Sequence, residues 1–439
     1  MASRNGISNN ECIVNPLLYS TLRRDFPLIL SKRTTRRSFL KLSLKSIIAL
    51  SAFSWMPGTS AASSADALFI RQIITGDSRT SRTIMWESME ENPAQYVEYH
   101  LKGSLYTMTA HASYGPFEDD STLLFTHIAS MEHLKAATVY EYRITDGTHA
   151  TEWYPLRTDN GSAFKMLIFP DSQCSDGYIT FRDLAQGAWQ RNPDASIFVN
   201  MGDLVDNGEQ YAQWRDWFNA LGGIKEQIIF APLMGNHATY NLQWKLRLPV
   251  AWLNYFAVPE NNVPGWGRYF YSFDYGDVHF IMLNNLMEEL DPLKPGLLDV
   301  EIPWLKKDFA SSNKKWKIVM MHKDIINDPY DDFSTPGRIF MPLFDELRPD
   351  VVFDAHQHTY RRLGRFKNFR RDDSGPLYID TGVAGNVRYD VPINKDFDEA
   401  YLPQPEIDNY LVLEASSSKL DIKCFQPDGS LADHTFLVK

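Results

Sequence analysis

An all-β sandwich followed by an α/β domain is the fold predicted by this 439-residue sequence, on three observations. Between Leu68 and Thr158, short β-type runs recur about every ten residues, the spacing of a sandwich. From Ala163 onward, apolar runs of strand length alternate with helical stretches, the rhythm of an α/β domain. Five polar clusters follow directly on five of those later runs, which puts chemistry-bearing side chains along one edge of a sheet.

The first region predicts strands over residues 70–75, 83–87, 96–101, 123–128 and 139–144. Trp86 lies in the second, and Tyr140-Glu141-Tyr142-Arg143 alternates apolar and polar faces before the turn Asp146-Gly147. The second region predicts strands over 164–169, 197–200, 227–232, 278–283, 316–321 and 351–353, then 377–379, 410–414 and 420–425. Residues 210–221 carry helical periodicity. Trp214, Trp217 and Phe218 fall there at i, i+3 and i+4, which reads as a core-facing stripe and not as a ligand box. His279 lies inside a strand run and reads as structural.

A hydrophobic fraction of 44% with 13% aromatics excludes a disordered chain and supplies a large core. Cys12, Cys174 and Cys424 are too scattered for a disulfide framework and form no C-x-x-C pair, so any metal is held mainly by His, Asp, Asn or Gln. The formal charge of -11 opposes non-specific binding to nucleic acid or to an anionic membrane surface. That charge is unevenly spread. Residues 1–67 hold nine Lys/Arg and three acids, a balance of +6, which leaves -17 on the remainder of the -11 total.

Within this basic head, Thr35-Arg36-Arg37-Ser38-Phe39-Leu40-Lys41 precedes a mildly apolar stretch over 42–56, then Pro57-Gly58 and small residues to Ala67. The segment resembles a bacterial twin-arginine export signal. The resemblance implies passage through the twin-arginine machinery, cleavage near Ala62 or Ala67, and a periplasmic or extracellular location for a protein folded before export. The apolar stretch carries Lys45 and is shorter than the roughly 20 apolar residues of a spanning helix, so no permanent membrane span is expected.

The five polar clusters are Asp171-Ser172-Gln173, then Gly202-Asp203-Leu204-Val205-Asp206-Asn207-Gly208, Gly235-Asn236-His237-Ala238, His322, and His356-Gln357-His358. An aspartate after a strand is by itself more often a cap or turn residue, and a lone His322 could be a hydrogen-bonded core histidine. All five in this order resemble the calcineurin-like metallophosphoesterase superfamily, with its D-x-H, G-D-x-x-D/N/Y, G-N-H-E/D, H and G-H-x-H pattern. The strand-rich first region resembles the fibronectin-III-like domain that precedes the catalytic domain in purple acid phosphatases.

These resemblances imply a four-layer αββα metallophosphoesterase sandwich behind an all-β fibronectin-III-like sandwich. The segments would be residues 1–67 for export, 68–158 for the sandwich and 163–439 for the catalytic domain. The implied enzyme hydrolyses phosphate mono- or diesters with a hydroxide bridging two metal ions. One metal would take Asp171, Gln173, Asp203 and His358; the other would take Asp203, Asn236, His322 and His356. His237 would serve the leaving group or a phosphoryl oxygen, and Asn236, His237 and Arg361 would meet the substrate. The chemistry fits: hydrolysis of a phosphate ester needs a nucleophile at neutral pH and neutralised phosphoryl charge, and two metals about 3.5–4 Å apart supply both. Nitrogen and oxygen donors of this mix suit Fe, Zn, Mn or Co, divalent or trivalent.

The sequence departs from the family pattern at four places. Gln173 stands where most relatives have His, and its amide oxygen remains a donor. Asp206 occupies the position of the iron-binding tyrosine of purple enzymes, so no tyrosinate colour is expected. Ala355 replaces a glycine, and Ala238 replaces the acidic neighbour of the catalytic histidine, leaving His237 less polarised. Arg361 and Arg362 read equally as structural or as anion contacts. Trp252, Tyr255 and Trp266 read as packing before base stacking, and the loops 241–266 and 324–337 carry no substrate motif. The alternative function is a non-catalytic extracytoplasmic binding protein on a degenerate scaffold; the near-complete ligand set favours the enzyme.

Overall fold

Two β-sheets form the middle layers of the fold, and the order of their strands explains why the polar clusters gather at one end of them. The computed structural model describes residues 66–327, 330–389 and 391–439. Cys12 and the segment expected to direct export therefore lie outside the described residues, apart from Asp66 and Ala67. Among the described residues no helix is long and apolar enough to cross a membrane.

Among the described residues the first sheet has thirteen strands. Its α/β part runs Leu431–Val438, Lys419–Phe425, Tyr410–Ala415, Phe164–Phe169, Ile197–Asn200, Ile229–Phe230. Phe164–Phe169, Ile197–Asn200 and Ile229–Phe230 are mutually parallel, so their C-terminal ends share one side. The second sheet has eight strands, and its parallel core is Val278–Met282, Trp316–Met320, Val351–Asp354 and Leu377–Thr381. Ile197–Asn200, Val351–Asp354 and Leu377–Thr381 are buried along their whole length. That is why they read as continuous apolar runs and not as alternations.

Helices Ile179–Arg191, Tyr211–Ala220, Leu297–Ser311 and Thr335–Leu347 flank the sheets, giving the four-layer αββα order. Trp214, Trp217 and Phe218 are buried in the main core, as the helical stripe predicts. Each large apolar side chain buried in this way stabilises the fold by about 1.5–3 kcal/mol.

The N-terminal β-region forms a sandwich around Ile84, Trp86, Val97, Tyr142, Ile144 and Leu156. Two of its strands were not foreseen, Met108–Asp119 and Tyr154–Arg157. The first carries few buried side chains and contains Gly115-Pro116, so it lacks a strand-like apolar pattern. It joins the two sandwich layers, pairing through Met108–His111 with Tyr96–Tyr99 and through Ala112–Asp119 with Thr122–Ala129.

The sandwich is continuous with the α/β region. Gln72 and Ile73 pair in parallel with Ile229 and Phe230, fusing both into the thirteen-stranded sheet. Only residues 229–230 of the expected 227–232 run are strand. Arg82–Ser88 is buried on both faces: Ile84 and Trp86 enter the sandwich core, whereas Met85 enters the main core. Beside them the Arg71 guanidinium holds Glu87 in a fully buried ion pair at 2.7 Å and donates from Nε to the Tyr255 carbonyl at 2.7 Å.

Candidate functional site

Each polar cluster begins where a central strand ends. Asp171 and Gln173 follow Phe164–Phe169, Asp203 follows Ile197–Asn200, and Asn236 and His237 open the 3-10 turn Asn236–Thr239 after Ile229–Phe230. From the second sheet, His322 follows Trp316–Met320, and His356 and His358 follow Val351–Asp354. The seven expected ligands and His237 thus come together across the two sheets.

Their atoms form one connected set. Donor atoms of Asp203, His322 and His356 all lie within 4.8 Å of one another. His322 Nε2 is 2.9 Å from Asn236 Oδ1 and 3.2 Å from Asp203 Oδ2, while Gln173 Nε2 donates to that same Asp203 oxygen at 3.1 Å. Asp171 accepts from the His356 backbone N–H at 3.1 Å, and its Oδ2 lies 3.5 Å from His358 Nε2.

The backbone is shaped for this convergence at some cost. Asp203, His356 and His358 adopt φ of 45°, 73° and 54°, a left-handed conformation that costs non-glycine residues roughly 1–3 kcal/mol each and clusters at functional sites. Gly202 and Gly235 permit the close approach: a Cβ on the first would overlap the His322 ring, and one on the second would overlap the Asp203 carboxylate.

Three histidines are oriented in the same way. The Nδ1–H of His322 donates to the Met201 carbonyl at 2.9 Å, that of His358 to Val387 at 2.8 Å, and that of His237 to Asp206 at 2.5 Å. A backbone acceptor on Nδ1 fixes the ring and turns Nε2 to the centre, as metal-ligating and catalytic histidines require.

Electrostatics favour a cation here. Burial alone would lower the His322 pKa, but Asp203 and Asp171 outweigh it and hold it at about 9. Burial would raise Asp203, yet His322 and His237 hold it well below the usual carboxylate range. Burial and the neighbouring His322 push His356 down to about 3, keeping its ring neutral with a free lone pair. Beneath the centre, burial raises Asp324 to about 7 and lifts Asp354 and Asp380 well above the ordinary carboxylate value, so these acids add little charge. Among the described residues, Gln173 Oε1 is buried without a hydrogen-bond partner. An orphaned amide oxygen beside two carboxylates and three imidazoles fits a borderline metal ion.

Sequence reasoning missed one partnership and misread one arginine. Ala238 does not deprive His237 of an acid, because the Asp206 carboxylate, 31 residues earlier in sequence, lies 3.7 Å from its Nδ1. Arg361 is not free to meet a substrate. It is buried, pairs with Asp398 at 2.7 Å, donates to Thr359 and Val391, and stacks over the Tyr330 ring. Arg362 pairs with Asp433 and Glu399. Trp252, Tyr255 and Trp266 are buried packing residues. The aromatics found at the site are Tyr240, Trp244 and Tyr389, which lie in loops without a periodic signal.

Residues 164–360 match the family model of the calcineurin-like phosphoesterases, and residues 69–158 match that of the purple acid phosphatase N-terminal domain. Purple acid phosphatase 23 of Arabidopsis thaliana is 28% identical over 181 residues, covering 40% of this chain and 38% of the relative. Purple acid phosphatase 22 of the same plant is 26% identical over 260 residues, covering 56% of this chain and 50% of the relative. The chain thus spans half or less of the length of these curated relatives. The structure of a purple acid phosphatase from yellow lupin (Lupinus luteus) seeds superimposes with a TM-score of 0.73 at 18% identity, over 85% of this chain and 74% of that one, and shares its fold. Both domain models are matched in order with the polar strand ends in place: residues 164–360 are similar to the calcineurin-like phosphoesterases and residues 69–158 to the purple acid phosphatase N-terminal domain, which together support a purple-acid-phosphatase-like metallophosphoesterase.

Proposed function

We propose that the chain is a metal-dependent hydrolase of phosphate esters, working at a dinuclear centre. The observation that carries this reading is the convergence of Asp203, His322 and His356 donor atoms within 4.8 Å at the ends of strands from both sheets. Asp171, Gln173, Asp203 and His358 would hold one metal ion, and Asp203, Asn236, His322 and His356 the other. Bound there, the pair would supply a nucleophile from water at neutral pH and neutralise phosphoryl charge.

The chain's own residues do the rest. Asn236 and His237 would meet the phosphoryl group. His237 keeps its Nδ1 proton on the Asp206 carbonyl and presents Nε2, 3.8 Å from Asp203 Oδ2; in its doubly protonated form it would give the Nε2 proton to the departing ester oxygen and keep the Nδ1 proton. Buried ligands and left-handed backbone hold these groups in place before substrate arrives, which lowers the reorganisation needed during reaction. The basic head, with Arg36-Arg37 ahead of its apolar stretch, supports export of the folded protein. Retention of six of the seven expected ligand types counts against a degenerate binding scaffold.

The test is turnover and metal content together. The protein reconstituted with Fe, Zn, Mn or Co should bind two metals per chain and cleave an activated aryl phosphate or diphosphate ester. Asp203→Asn should lower metal content and reduce turnover by at least about 10³-fold, since several kcal/mol of charge stabilisation would go with the shared ligand. Two bound metals with no cleavage of either ester class would overturn the reading.

A further inference from the structure

Two aromatic side chains at the site are exposed where packing would normally cover them. Trp244 is 53% exposed, yet its ring stands edge-on against the His237 imidazole at 5.8 Å and close to Tyr240 at 6.0 Å. Tyr389 is 43% exposed, and its ring stacks on the His358 imidazole at 4.3 Å with 24° between planes. One exposed ring therefore leans on the proposed proton donor and another on a proposed ligand.

The Trp244 loop is held firmly. Its tip closes through Trp244 N–H to the Asn241 carbonyl at 2.8 Å and Asn241 N–H to the Lys245 carbonyl at 2.9 Å. The same loop is tied to the Asp203 segment, with Asn207 Nδ2 donating to the Asn241 carbonyl at 2.8 Å and Leu242 N–H donating to Glu209 at 2.6 Å. Trp244 itself has φ of 57°, a conformation normally left to Gly or Asn. A bulky residue kept in such a conformation with half its ring in water gains little by packing. The surrounding structure maintains that strain, as it does at ligand clamps.

We propose that Trp244 and Tyr389 form aromatic walls for the ester group of the substrate, so that the site selects phosphate esters whose alcohol carries a planar ring. The inference rests on the phosphoesterase reading. His237 is the group placed to serve the leaving oxygen, so the part of the substrate beyond that oxygen lies beside Trp244. A planar ring stacks or meets edge-to-face with these walls, and a saturated ring of equal size cannot. Because the loop is already ordered, little freedom is lost when the ring arrives.

Benzyl phosphate and cyclohexylmethyl phosphate test this, since both are esters of primary alcohols with the same carbon count. The metal-loaded full-length protein should favour the benzyl ester in kcat/KM by roughly 5- to 10-fold, the worth of an aromatic pair beyond its buried area. Titration with benzylphosphonate and cyclohexylmethylphosphonate should give the same order of affinity without turnover. Trp244→Ala and Tyr389→Ala should each draw the ratio towards one, and Trp244→Phe should restore most of it. A wild-type ratio near one in both measurements, or a ratio unmoved by either substitution, overturns the proposal. Ring-selective binding without hydrolysis sinks the phosphoesterase reading and leaves the walls; hydrolysis without ring selectivity sinks the walls alone.

Discussion

Replacing Arg71 with Met would remove the cation that faces Glu87 and that also ties the sandwich to the Tyr255 carbonyl of the α/β region. Both side chains are fully buried, and the guanidinium makes two contacts with the carboxylate, at 2.7 and 2.9 Å, while also donating to the Phe69 and Tyr255 carbonyls. Burial already lifts the Glu87 carboxyl above its ordinary value with Arg71 in place, and without the guanidinium nothing opposes that lift. The buried carboxyl would then take up a proton. At pH 7, holding a carboxyl of ordinary pKa about 4.3 neutral costs about 3.7 kcal/mol, a ceiling on the charge contribution. The carbonyls left without a donor add to this, and broken buried pairs generally cost about 3–5 kcal/mol. A loss of about 4 kcal/mol is expected, a large share of the roughly 5–15 kcal/mol of a folded domain.

The sign with pH follows from the raised folded-state pKa. The penalty is full only at pH values above it and shrinks as pH falls towards the unfolded value; because wild-type Glu87 is itself raised, the gap should narrow by at most about 2.7 kcal/mol between pH 7 and pH 5. Urea unfolding followed by tryptophan fluorescence at both pH values measures it. The double variant Arg71→Met/Glu87→Leu should recover most of the loss, since apolar pairs replace buried ion pairs well. A loss under about 1 kcal/mol at pH 7, or a gap indifferent to pH, would refute the reasoning.

Three further outcomes are expected. Burial would lower His279, but its hydrogen bonds to Asp274 and Asp308, at 2.7 and 2.9 Å, outweigh it and hold its pKa at about 9. Its stabilisation, about 2–3 kcal/mol, is complete below about pH 6.5 and disappears as pH rises through 9, so His279→Gln should flatten wild-type stability across that window in pH-dependent unfolding. Gln173→Ala removes the buried, unpartnered Oε1 and should weaken metal binding by roughly 10- to 100-fold in equilibrium dialysis; an unchanged affinity would dismiss Gln173 as a ligand. Cys174 is buried and its thiol is pushed up to about 12 by that burial, so alkylation at pH 8 read by mass spectrometry should occur only after unfolding.

The central strands were legible because a strand covered on both faces is apolar along most of its length, and 164–169 and 197–200, interrupted only by Lys165 and Asn200, coincide with their observed bounds. The site was legible for a related reason. Parallel strands in one sheet end on the same side, so polar residues placed just after such runs have few places to go but one edge. What stayed hidden depends on contacts between distant segments. Asp206 serves His237 across 31 residues, and nothing local marks the pair, so the absence of an acid at Ala238 looked like a defect. Arg361 stood next to a ligand motif and looked available, whereas the acid that claims it, Asp398, comes from a later loop. Trp244 is the clearest case. Its loop shows neither the 2-residue nor the 3.6-residue period, and only the backbone angle and the neighbouring imidazole reveal that its exposure is imposed by the fold. Periodicity reports what a protein buries. A residue held in water beside His237 leaves no such trace, so its place could be read only from coordinates, whereas the proposed metal ligands stand out by order and spacing.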